Sequence, residues 1–337
     1  MTTIRVSAPG KALLSGEYAV LRGAPALSMA VDRRAFVQLS TTADDFHRVA
    51  MPGFAEGSYR FRTGESGELE WLEDPPDGGA RLVVEAWRTR PDTELPPLSV
   101  TIDTREFFDA KSKRKLGLGS SAAAITALVA ALSRFAAEPR AYGAPSARAH
   151  KAMQGGLGSG VDVVTSLHGG VIEFRMNDAQ PPVSHPWPDG LVCGFLWSGR
   201  PADTASRIRE LDDKGVAESA WTSLCASAEQ VVAAWQAGNM SAVLAAIRRY
   251  ATALQVFSTD HGLGIFDAGH DALAHLADSR GIVYKPCGAG GGDIGIALAT
   301  SDTALSTFCD RAAEYGFRPL SLTLDPCGVS FSGEDER

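Results

Sequence analysis

Leu116-Gly117-Leu118-Gly119-Ser120-Ser121-Ala122-Ala123-Ala124 opens an Ala-rich run that continues to about Ala136. Two glycines and two serines ahead of a nearly all-apolar stretch predict a tight turn that delivers the chain into a buried helix. Glycines let the backbone approach a ligand closely, and the first turn of a helix presents unpaired N–H groups at the positive end of its dipole. Such an end suits a phosphate, and Ser120 and Ser121 add hydroxyls that cap the helix or face a phosphate or metal. Alone, the segment also reads as an ordinary Ser-capped helix after a Gly turn. It is not a Walker-type loop, because GxxxxGK[ST] is absent. Gly117, Gly119 and Ala122 satisfy GxGxx[GA], but a dinucleotide fold needs an apolar strand leading into the glycines. Lys111-Ser112-Lys113-Arg114-Lys115 stands there instead.

Two further glycine-rich segments follow this one at a distance. Lys285-Pro286-Cys287-Gly288-Ala289-Gly290-Gly291-Gly292-Asp293 precedes the apolar run Ile294 to Leu298. A hairpin needs one or two glycines, so this density points to a close backbone approach. Gly155-Gly156-Leu157-Gly158-Ser159-Gly160-Val161-Asp162 places an acid at the end of another such loop, where Asp162 also reads as a helix cap.

The 337 residues suggest two domains or one large one, and at 45% hydrophobic and 21% charged they exclude a wholly disordered chain, a coiled coil and a collagen-like fibre. A net charge of −8 excludes a general nucleic-acid clamp. No run is long and apolar enough to span a bilayer, so no membrane partner is expected. The opening MTTIRVSAPGKALL lacks the pattern of a signal peptide. Cysteines 193, 225, 287, 309 and 327 show no CxxC or zinc spacing, and read as thiols of a reducing cytoplasm.

Organisation along the chain predicts an α+β fold, since strands and helices do not alternate in a βαβ rhythm. Strands are expected at Ile4-Val6, Phe36-Leu39, Tyr59-Phe61, Leu98-Ile102 and Leu191-Trp197, with a turn at Ser7-Gly10 and an extended stretch from Ala12 to Leu21. Residues 41–80 read mostly as loops. Helices are expected at Leu82-Trp87 and at about 202–213, 217–236, 240–254 and 266–279. The Pro-rich stretch from Pro181 to Pro188 suggests a linker, dividing the chain into 1–185 and 186–337.

The three glycine segments, together with Ala8-Pro9-Gly10-Lys11-Ala12-Leu13-Leu14-Ser15-Gly16-Glu17-Tyr18-Ala19-Val20-Leu21, resemble the GHMP kinase superfamily in motif order and spacing. Within it, Gly16 to Leu21, Ala149-His150-Lys151-Ala152-Met153-Gln154 and Lys285 to Asp293 resemble the bacterial phosphomevalonate kinase branch. The metal-binding glutamate of mevalonate kinases falls here on Lys151, a departure that weakens that alternative. The resemblance implies a ribosomal-protein-S5-like ATP-binding domain at 1–185 and a ferredoxin-like α/β domain at 186–337. It implies a cytoplasmic phosphotransferase that uses ATP and Mg²⁺ on 5-phosphomevalonate, and a homodimer is compatible with it.

For the site, the resemblance implies catalytic Asp162 and Lys11, with Gly117, Leu118, Gly119, Ser120, Ser121 and Ala122 around the triphosphate and Ser120 or Ser121 nearest the metal. Acceptor contacts are expected from Ser15, Tyr18, Ser159, Gly160, Gly288, Ala289, Gly290 and Gly291, with Arg200 and Lys285 as cations for its phosphate. His150, His168 and His261 read as packed or capping. A non-catalytic nucleotide-binding regulator on the same scaffold is the reading from another class.

Overall fold

The computed structural model describes residues 2–65, 67–90, 95–137, 142–176, 178, 180–202, 207, 209, 211 and 218–332. The expected helix at about 202–213 lies largely outside them. Strands β1 (Thr3–Ser15) and β2 (Ala26–Thr41) form a long antiparallel pair. The chain continues through β3 (His47–Ala50), β4 (Ser58–Thr63), β5 (Leu69–Trp71), β6 (Leu98–Asp103), β7 (Val171–Phe174) and β8 (Val183–His185). Then come β9 (Val192–Trp197), β10 (Val283–Pro286), β11 (Ile294–Ala299), β12 (Arg318–Leu320) and β13 (Ser330–Ser332).

These strands make two sheets. The larger has the order β13-β1-β2-β6-β3-β4-β5, with β7 also on β2 and β8 on β7; the smaller has the order β10-β11-β9-β12. The helices are α1 (Asp77–Trp87), α2 (Ser120–Phe135), α3 (Gly143–Met153), α4 (Val161–His168), α5 (Glu218–Gln236), α6 (Met240–Asp260), α7 (His270–Asp278) and α8 (Asp302–Ala312). The fold is α+β. All but three of the sixteen residues of α2 are buried, and alanine at six of them lets β1, β2, α1, α3 and α4 pack close.

Three local expectations change. The turn at Ser7–Gly10 is instead part of β1, which absorbs it as a register shift between Pro9 and Gly10. The extended stretch ends at Ser15 and passes into a short 3₁₀ turn at Ala19–Arg22. Residues 41–80 carry β3, β4 and β5, whose few apolar positions, such as Val49 and Phe61, are buried while their neighbours are polar. Helix α6 also runs six residues past its expected end.

The sheets are tied where the site will sit. Lys285 on β10 pairs with Glu17, just beyond β1, and neither side chain is exposed to solvent. The same ammonium donates to the carbonyls of Leu13 (3.1 Å) and Pro286 (2.9 Å), and the Tyr250 hydroxyl on α6 donates to Glu17 O at 3.0 Å. Farther along, Arg318 on β12 pairs with Asp109 and stacks on Trp197. Removing one partner of a buried pair leaves an uncompensated charge, at a cost of about 3–5 kcal/mol. Lys285→Met is therefore expected to lower unfolding free energy by about that amount in a urea titration. Unchanged stability would show that the pair is not structural.

Candidate active site

The glycine segments and β1 interlock through close approaches that only glycine allows. A Cβ on Gly10 would lie 2.6 Å from Leu118 O and 2.7 Å from the Phe107 ring. Because that space is empty, the Lys11 N–H reaches Leu118 O at 2.9 Å and strand β1 docks on the loop before α2. Gly117, at φ 84°, has the Asp293 carboxyl in the position its Cβ would take. Tyr18 closes the ring, donating from its hydroxyl to Ala289 O at 2.6 Å.

Helix α2 begins without a side-chain cap: its N-cap is Gly119 in the left-handed region, not a serine. The first intrahelical bond runs from the Ala123 N–H to Gly119 O at 3.1 Å. The amides of Ser120, Ser121 and Ala122 thus have no backbone acceptor among the described residues, the arrangement that attracts an anion. Helix α4 differs. Its Val161 N–H goes to Ser159 Oγ at 3.3 Å and its Val163 N–H to Asp162 Oδ1 at 3.0 Å. The N-cap of α4, Gly160, is also a left-handed glycine without a capping side chain, so Asp162 is not the cap but holds a first-turn amide while also lining a cavity.

That cavity holds about 110 Å³ and is walled by Lys11, Tyr18, Ser159, Asp162, Gly288 and Ala289, with Glu17 at one side. Gly119 brings the phosphate-type loop to it, since a Cβ there would stand 3.3 Å from Lys11 Cγ and 4.0 Å from Asp162 Cβ. Leu118 and Ala122 turn their side chains into the core and offer only backbone. Gly160 lines an adjoining cavity of about 90 Å³ with His150 and Lys151.

Other expected contacts are placed elsewhere. Lys285 cannot meet a substrate phosphate in this arrangement, because its buried ammonium is held by Glu17 and two carbonyls. Ser15 is fully buried and does not reach the cavity wall. Arg200 lines a separate cavity of about 880 Å³. Gly290 packs on Ile265 and Gly291 against the Arg207 guanidinium, so both shape the loop from behind. Among the described residues no group of three or more His, Cys, Asp and Glu is arranged to hold a metal.

Comparison with known proteins follows from this geometry. Residues 81–170 match the GHMP kinases N terminal domain. A phosphomevalonate kinase of Streptomyces sp. (strain CL190) is 31% identical over 95% of this chain and 97% of its own. This chain belongs to the GHMP kinases. A mevalonate kinase of Methanothermobacter thermautotrophicus is 30% identical over 60% of this chain and 61% of its own. Two solved structures share the fold of this GHMP kinase. One is a Listeria innocua protein (TM-score 0.84, 23% identity, 99% of this chain and 100% of that one). The other is a Streptococcus pneumoniae phosphomevalonate kinase in complex with phosphomevalonate and AMPPNP (TM-score 0.77, 19% identity, 96% and 100%).

In this kinase the sequence reading gave no separate role to Asp293. Its backbone bonds Ser198 (2.9 Å) and Arg200 (2.7 Å), and its Oδ1 accepts from the Ala202 N–H at 3.2 Å. Burial raises the Asp293 carboxyl to about 6, against that amide and the nearby Lys11 and Lys115 charges, which lower it. The folded chain therefore holds this proton more tightly than the unfolded one. Stability attributable to Asp293 falls as pH rises from about 4 to about 6, and is level above that. Relative to Asp293→Asn, the wild type should lose on the order of 2–3 kcal/mol between pH 4 and pH 7, read from paired denaturation curves. Parallel curves would refute the shift.

Proposed function

We propose that this kinase transfers the γ-phosphoryl group of ATP to (R)-5-phosphomevalonate, forming (R)-5-diphosphomevalonate. The observation that carries the reading is the single cavity in which Lys11 and Asp162 stand beside Gly119, at the uncapped start of α2. Phosphoryl transfer asks for positioning and charge neutralisation more than covalent chemistry. The Ser120–Ala122 amides would receive the triphosphate, and Lys11 would neutralise the transferring group. Asp162 would orient the acceptor and take a proton where one must leave. Since a phosphate monoester is largely ionised near neutral pH, no strong base is required. The nucleoside end of ATP is assigned to a cavity of about 750 Å³ walled by Phe54, between β3 and β4, and by Arg105, Phe108 and Lys113, in the segment that leads into Gly117.

Magnesium fits the same corner. A small hard cation takes most of its ligands from phosphate and water and asks the protein for one or two oxygens. The Ser120 hydroxyl, which makes no hydrogen bond among the described residues, and the Ser121 hydroxyl are such oxygens. When bound, the cation would offset charge on the β- and γ-phosphates. The same reading divides the chain at 185/186, with Ser330–Ser332 returning to pair with Arg5–Ser7.

The acceptor assignment rests on similarity along nearly the whole chain to the Streptomyces phosphomevalonate kinase, against about three-fifths for the Methanothermobacter mevalonate kinase. A coupled ADP-release assay with Mg·ATP should show strong preference for 5-phosphomevalonate over mevalonate at equal concentration. Preference for mevalonate would overturn the acceptor. Asp162→Asn should lower turnover by about 10²-fold or more while sparing binding of an ATP analogue. Undiminished turnover would remove Asp162 from its role.

A further inference from the structure

His150, on α3, is buried to 1% exposure and stands between two residues of the site. Its Nε2 lies 3.3 Å from Ser121 Oγ, in the first turn of α2. Its Nδ1 lies 3.6 Å from Asp162 Oδ1, in the first turn of α4. Buried ring nitrogens need polar partners, and here both candidates lie in the first turns of site helices, so a hydroxyl and a carboxylate constrain the proton positions of this imidazole.

We propose that His150 is a positioning residue that joins the phosphate end of the site to the acceptor end, an inference that rests on the kinase reading above. An ionised carboxylate only accepts, so the Nδ1 facing Asp162 carries the proton. In the neutral ring Nε2 then presents its lone pair and the Ser121 hydroxyl donates to it. Two consequences follow for the site. Ser121 gives its proton inward and keeps its oxygen lone pairs for whatever lies at the start of α2. Asp162 has its Oδ1 engaged by the Val163 N–H and approached by His150, which leaves Oδ2 as the oxygen for the cavity.

At 3.6 Å the Asp162 contact is longer than a hydrogen bond. Contacts of this kind shorten when a site closes on its substrates.

The test has two arms. In the first, ¹⁵N-histidine-labelled protein is examined by long-range ¹H–¹⁵N correlation, with the His150 signals assigned by their loss in His150→Asn. A protonated Nδ1 whose shift moves in Asp162→Asn is expected. A bare Nδ1, or signals indifferent to Asp162→Asn, would overturn the proposal. This arm needs no acceptor, so it decides the role of His150 even if neither phosphomevalonate nor mevalonate turns over, the outcome that would instead overturn the proposed acceptor.

In the second arm, steady-state kinetics compares three variants. Asn places an N–H near the position of Nδ1, Gln places one near Nε2, and Phe supplies neither. His150→Gln and His150→Phe should lower kcat roughly 10- to 100-fold with the KM for ATP within about twofold, while His150→Asn recovers much of the loss. Equal losses in all three, tracking their melting temperatures, would mean a merely structural histidine.

Discussion

A lysine ammonium and a glutamate carboxylate, both removed from solvent, join the end of β1 to β10. The positions of the site groups depend on this contact. Glu17 lies between Gly16 and Tyr18, and Tyr18 holds Ala289; Lys285, on β10, lies three residues before Gly288 in the loop that follows the strand. The ammonium is given two further carbonyls, whereas Glu17 Oε2 has no hydrogen-bond partner among the described residues, so the ion pair with Lys285 is what holds this carboxylate in the interior. With it in place, the first and third glycine segments present Tyr18, Gly288 and Ala289 to one cavity.

The second constraint is the absence of a Cβ. At Gly10 the empty space admits Leu118 O and lets two backbones bond across it; at Gly117 it admits the Asp293 carboxyl. Both contacts aim the start of α2, whose first-turn amides have no acceptor of their own among the described residues. Helix α4, one cavity wall away, occupies two of its first-turn amides internally, Val161 with Ser159 and Val163 with Asp162. The two helix ends are thus built for different tasks: one offers donors to an anion, the other fixes a carboxylate.

The phosphate-type loop was legible because its chemistry is local: Gly-Leu-Gly-Ser-Ser before an apolar run has few physical readings. The three-motif resemblance extended that reading to the family and to Lys11 and Asp162, which share the cavity. What could not be read depends on partners distant in sequence. Lys285 shows a charge in a one-dimensional string but not that Glu17, 268 positions away, already holds it. Ser15 reads as a substrate contact, and only its burial in the fold, with no hydrogen-bond partner for its hydroxyl among the described residues, removes it from the cavity. His150 reads as an ordinary core histidine until three helix ends are brought together around it. Ser7–Gly10 has the composition of a turn, and only the register with β2 reveals a bulged strand. In 41–80 the strands are short and polar-faced, so their alternation is weak beside the Gly and Pro between them.

The central claim is that the donors at the start of α2 and the Lys11–Asp162 wall serve one transfer. A crystal structure of this chain with a non-hydrolysable ATP analogue and 5-phosphomevalonate tests it most directly. The account predicts the triphosphate on the amides of Ser120, Ser121 and Ala122, with the acceptor phosphate between Lys11 and Asp162. A nucleotide bound away from α2, or an acceptor lying outside the cavity walled by Tyr18 and Gly288, would contradict it.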